Sequence, residues 1–104
     1  MKKQILLFIL ALLPMLAKAD ANGTCGENLT WTYVEATKTL TISGSGELSY
    51  SSSYSPWYGY NIETVIIESG VTRIQSYAFY LCTELTSVTL PNSVTSIGVG
   101  AFMS

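Results

Sequence analysis

Val71-Thr72-Arg73-Ile74 and Val94-Thr95-Ser96-Ile97 are one four-residue phrase written twice, 23 positions apart. The offset extends in both directions. Ala78-Phe79 aligns with Ala101-Phe102. Ile62-Glu63-Thr64-Val65-Ile66-Ile67 aligns with Leu85-Thr86-Ser87-Val88-Thr89-Leu90, with apolar residues at the first, fourth and sixth places. Seven apolar positions thus agree at one fixed offset within residues 62–104. A self-similar period of this size marks a chain built from stacked supersecondary units.

The spacing assigns a conformation to each unit. In Leu85-x-x-Val88-x-Leu90, Val88 and Leu90 alternate as strand residues facing inward, and Thr89 between them faces out. Pro91-Asn92-Ser93 ends the strand, because proline cannot donate to a ladder. Val94–Ile97 is a second short extended piece, and Ala78-Phe79 and Ala101-Phe102 pack between units. Each unit can bury its apolar edge only against the next, which predicts a solenoid.

From Ile74 to Val94 the sequence reads Ile-x-x-x-Ala-Phe-x-x-Cys-x-x-Leu-x-x-Val-x-Leu-Pro-x-x-Val. This pattern resembles the BspA-like leucine-rich repeats, the 23-residue type of bacterial and some protist cell surfaces. Residues 23–31, Leu40-Thr41-Ile42-Ser43-Gly44-Ser45-Gly46 and Ser55-Pro56-Trp57 are similar to the N-terminal region of such proteins. Val99-Gly100 departs from the pattern without touching function. The resemblance implies a mainly β leucine-rich-repeat solenoid, with about two incomplete coils over 62–104. It further implies adhesion to host proteins, matrix or neighbouring cells.

Ahead of the repeats, Leu29–Val34 and Thr39–Ser43 alternate as two strands joined by a turn at Glu35-Ala36-Thr37-Lys38. Residues 20–61 therefore read as a β-hairpin cap region over the first coil. The first 19 residues read as a cleavable signal peptide: Lys2-Lys3, the apolar run Ile5–Leu13, Pro14, then Ala17-Lys18-Ala19. The run is short of the roughly 20 residues that span a bilayer, so no membrane span is expected after cleavage. A secreted or cell-surface location follows. The chain stops at Ala101-Phe102-Met103-Ser104, mid-coil, and so reads as a truncated N-terminal piece. Self-association of the uncapped C-terminal coil with a second copy is the alternative.

Composition narrows the chemistry. Beyond the signal, Lys38 and Arg73 stand against all seven acids, a net charge of −5. Two cations cannot neutralise a phosphate backbone, so no nucleic-acid partner is expected. There is no histidine, which removes His-dependent triads and His-ligated metal sites. Glu63 and Glu68 are an odd number apart and would face opposite sides of a straight strand. Gly44-Ser45-Gly46 lacks the third glycine, lysine and helix of a phosphate loop. Asn28-Leu29-Thr30 is a glycosylation sequon by pattern. Cys25 and Cys82 read either as one internal disulfide or as two buried small hydrophobes. No catalytic residue, cofactor or metal is expected.

Two surfaces remain. The outward residues of successive strands, Thr64, Ile66, Ser87 and Thr89 with Thr86 at the edge, form a mostly hydroxylic sheet face for a protein ligand. The alternative is an aromatic patch of Tyr50, Tyr54, Trp57, Tyr58 and Tyr60 for a glycan, against a plainer reading in which Trp57 packs on the first coil. The cleavage reading is directly testable: the exported protein should begin at Asp20 by intact mass, and a secreted form retaining Met1 would refute it.

Overall fold

The computed structural model describes residues 19–103, so the signal segment lies outside the described residues but for its last position. Eight strands and no helix occur among the described residues: β1 (Ala21–Thr24), β2 (Leu29–Val34), β3 (Thr39–Gly44), β4 (Gly46–Glu47), β5 (Thr64–Ile67), β6 (Val71–Ile74), β7 (Ser87–Thr89) and β8 (Ser96–Ile97). They form a five-stranded sheet in the order β1-β2-β3-β5-β7 and a three-stranded sheet in the order β4-β6-β8.

Strict alternation makes β2 and β3. Leu29, Trp31 and Tyr33 are buried while Thr30 and Thr32 are exposed, and Leu40 and Ile42 are wholly buried on β3. The two strands pair antiparallel. Lys38 closes the turn between them in the left-handed region, at φ 52°. β1 adds a further antiparallel strand on the far edge of β2. The Asn22-Gly23 pair within it resembles a turn signal, and the pairing overrides that local preference.

β3 then changes partner type. Its other edge pairs in parallel with β5, matching Leu40 to Val65 and Ile42 to Ile67 at a register of 25. β5 pairs in parallel with β7 at a register of 23, matching Thr64 to Ser87 and Val65 to Val88. The second sheet repeats the theme, with Arg73 matched to Ser96 and Ile74 to Ile97. Between β4 and β6 a bulge shifts the register, from Gly46–Val71 to Glu47–Arg73.

Hydrogen bonds outside the strands keep the same spacing. The Lys38 carbonyl accepts from the Glu63 and Thr64 amides at 2.9 and 3.2 Å. The Glu63 carbonyl accepts from the Thr86 and Ser87 amides at the same two distances. At the corner between the sheets, Gly44 and Gly70 take φ of 120° and 111°, and a Cβ on Gly70 would collide with the Gly44 carbonyl. Glycine meets both demands there, the positive φ and the close approach.

The core runs between the sheets and continues as an aromatic column. Trp57 stacks on Phe79 with centroids 5.4 Å apart, and Phe79 stacks on Phe102 at 5.2 Å. The buried Trp57 indole N–H donates to the Ala78 carbonyl at 3.0 Å, so a ring that would otherwise strand a polar group is satisfied. Phe79 touches both neighbours of the column and is buried. Phe79→Ala should cost about 3–5 kcal/mol by removing this middle ring. Thr89→Ala, on the exposed face, should stay within about 0.5 kcal/mol. Urea denaturation of the two variants checks the contrast.

Candidate functional site

Parallel pairing turns outward strand residues into rows. Thr39, Thr64 and Ser87 are register partners across β3, β5 and β7, and Thr41, Ile66 and Thr89 form the next row. The antiparallel hairpin extends both, placing Val34 beside Thr39 and Thr32 beside Thr41. Neighbouring strands in a sheet lie about 4.8 Å apart, so the rows make a grid of hydroxyl and methyl groups. Ser87 and Thr89 are exposed, whereas Thr64 and Ile66 are half-buried by flanking rows. Thr86 stands just outside β7, and its hydroxyl donates to the Glu63 carbonyl at 3.2 Å. That side chain serves the ladder between turns more than the open face. Ser43 donates to the Glu68 carboxylate at 2.9 Å beyond the end of these rows.

The aromatics of residues 50–60 divide. Trp57 lies in the core, 1% exposed, and presents no ring face to a ligand. Tyr50 is half-buried, its amide donating to the Gln75 side chain at 3.1 Å. Tyr54, Tyr58 and Tyr60 are exposed. Tyr60 also packs edge-on against Trp31 and Tyr33, at 5.9 and 5.0 Å. The fold adds two rings that sequence reasoning left in the repeat: Tyr77 and Tyr80 are exposed and share a concavity with Tyr54 and Tyr58. Tyr77 lies 23 positions after Tyr54, a signal the repeat offset could have supplied.

Among the described residues no three His, Cys, Asp or Glu side chains gather as a metal site, and no helix is long and apolar enough to cross a membrane. The Lys38–Glu84 ion pair is 3.9 Å long and exposed, a contact of little energetic weight.

A family model described as a BspA type leucine rich repeat region (6 copies) matches residues 30–104. The match begins inside β2, ahead of the fixed-offset repeat. The chain is also similar to the crystal structure of a leucine-rich repeat protein from Eubacterium ventriosum ATCC 27560. The identity is 34% and the TM-score 0.71, over 79% of this chain and 23% of that one. The chain therefore spans less than a quarter of that protein's length. No curated protein matches the chain.

Both cysteines are free thiols, Cys25 buried and Cys82 half-buried. Burial pushes the Cys25 thiol from an ordinary 9.0 up to about 12 and raises Cys82 as well. Tyr33 is raised by burial and then by the nearby Glu35 and Asp20 carboxylates, and Tyr50 by burial. In each case the folded chain holds a proton that the unfolded chain has lost. The resulting stability is complete below the unfolded values and declines as pH rises from about 9 towards 12. Thermal midpoints should therefore fall steadily above pH 9. Cys25→Ala should flatten that decline by up to about 1.4 kcal/mol per pH unit, as melting curves between pH 8 and 11.5 would show.

Proposed function

The chain belongs to the BspA-type leucine-rich repeat family, and from that premise we propose that it binds a protein ligand through the outer face of its five-stranded sheet. The observation that carries this reading is the pair of rows Thr39–Thr64–Ser87 and Thr41–Ile66–Thr89, held in register and free of charge. A repeated uncharged face suits a ligand that is itself extended. Small hydroxylic side chains give low affinity per row, so useful binding draws on many rows or on multivalent display. The chain acts without catalysis: it has no histidine, and both thiols are held towards their protonated form.

The ligand is a protein of host, matrix or neighbouring cells, met by an exported or surface-held chain. The pairs β3–β4, β5–β6 and β7–β8 read as successive coils, one more than the 23-residue offset counts over 62–104. β1 and β2 read as the cap. Residues 20–61 then hold the cap and a 25-residue first coil, and 62–104 hold the 23-residue repeats. Val88 and Ile97, exposed on the last strands, and Leu90, exposed just after β7, are the positions a following coil or a second copy would cover.

A biosensor panel of immobilised extracellular-matrix and cell-surface proteins tests the reading. Binding should appear for one or more of them. The double variant Thr64→Arg/Thr89→Arg should weaken it at least about tenfold, equivalent to roughly 1.4 kcal/mol, with an unchanged melting midpoint. Undiminished binding by this variant, or none across the panel, would refute the sheet face.

A further inference from the structure

We propose that the loop side of the molecule carries a second, independent site: a tyrosine-lined groove that takes a neutral oligosaccharide. Two concavities of about 380 and 250 Å³ adjoin there, sharing Ser55, Tyr58 and Tyr80 in their walls. Tyr54 and Tyr77 line the smaller one, and Tyr60 and Leu81 the larger. Tyr54 and Tyr58 lean together at 4.5 Å, and Tyr77 meets Tyr80 edge-on at 5.6 Å. These five rings come from two stretches of chain brought side by side by the repeat.

Backbone conformation singles the groove out. Tyr77 and Leu81 occupy the left-handed region, at φ 60° and 62°, where a bulky side chain costs roughly 1–2 kcal/mol. In one turn adjoining each, a glycine takes a similar backbone. Gly100, 23 residues after Tyr77, has φ 66°, and Gly59, 22 residues before Leu81, has φ 90°. The 22-residue spacing is also that of the stacked pair Trp57 and Phe79. The side chains of Tyr77 and Leu81 are 49% and 46% exposed, while their amides donate to the Val99 and Met103 carbonyls of the next turn at 3.1 and 2.9 Å. Strain of this kind collects where a surface has a task. Tyr77 lines the smaller concavity and Leu81 the larger.

The lining chemistry selects the ligand. Glu84 is the single charged residue in the lining of both concavities, and the nearest cation, Lys38, is paired with it at 3.9 Å, which disfavours acidic sugars and phosphorylated ligands. Tyrosine rings offer apolar faces to the C–H side of a pyranose and phenol hydroxyls to its rim. Ser55, Asn61 and Thr83 add uncharged donors and acceptors. Proline-rich peptides also dock in aromatic-lined grooves, and the decapeptide arm of the test separates that occupant from a sugar.

The test uses the full chain and a titration series of neutral tetrasaccharides: β-1,4-glucan, β-1,4-linked N-acetylglucosamine and α-mannan. A sialylated glycan and a proline decapeptide run in parallel, followed by tyrosine fluorescence and calorimetry. At least one neutral tetrasaccharide should bind. Tyr80→Ala should weaken it by about tenfold, the loss of one stacking ring. Tyr77→Gly should weaken it as well while leaving the melting midpoint within a few degrees, since glycine suits that backbone. The sheet-face variant Thr64→Arg/Thr89→Arg should bind the sugar normally, so the two surfaces fail separately. No neutral sugar binding, sugar binding indifferent to both tyrosine variants, or binding of the decapeptide alone would overturn the assignment.

Discussion

Each turn of this chain can cover its apolar edge only with the turn beside it. The parallel registers of 23 and 25 residues express that constraint. They bring Leu40, Val65 and Val88 into one inward row, and Ile42 and Ile67 into another. The aromatic column Trp57–Phe79–Phe102 follows the same axis. Burial along these columns supplies the apolar area that an 85-residue segment needs to fold at all. Backbone carbonyls at the corners reinforce the stacking. Lys38 and Glu63 each accept from two successive amides of the next turn, so the ladder does not rely on side chains alone.

The two ends of the stack differ. At the first, the β1–β2 pair lays Leu29, Trp31 and Tyr33 on the inward face continuous with Leu40 and Ile42. An antiparallel hairpin is a natural way to start a parallel sheet, because a two-residue-period strand can present one edge to each pairing mode. β3 does this, with β2 on one side and β5 on the other. At the last described turn Val88, Leu90 and Ile97 remain exposed, although their repeat partners Val65, Ile67 and Ile74 are fully buried. Repeat-related positions thus differ in burial between the inner turn and the last described one.

The repeat leaves two surfaces with distinct chemistry. The sheet face is a regular grid set by the strand period. The groove between loops is irregular and rich in tyrosine, and it contains the strained Tyr77 and Leu81. Neither surface is lined by a cluster of charge, so local ion pairs contribute little to partner choice. On the proposed sites, partner choice would then rest on shape and short-range contacts, with multivalency offsetting modest affinity per row.

The fixed offset in the sequence determined the repeat, the inward and outward alternation of β5 and β7, and the pairing of residues 23 apart. Those features depend on local period and are written in consecutive residues. The hairpin over Leu29–Ser43 was equally legible, because Leu29, Trp31 and Tyr33 alternate without interruption. Tertiary structure alone decided that β3 and β4 join the parallel sheets. Their register of 25, with a bulge between Gly46 and Glu47, breaks the fixed offset, so Leu40-Thr41-Ile42 does not align with Val65-Ile66-Ile67 at 23. Tertiary structure also separated the aromatics. Trp57 went inside to stack on Phe79, while Tyr77 and Tyr80 of the following turn joined Tyr54 and Tyr58 outside. Composition marks an aromatic-rich stretch, but which rings are covered depends on what the next turn places above them.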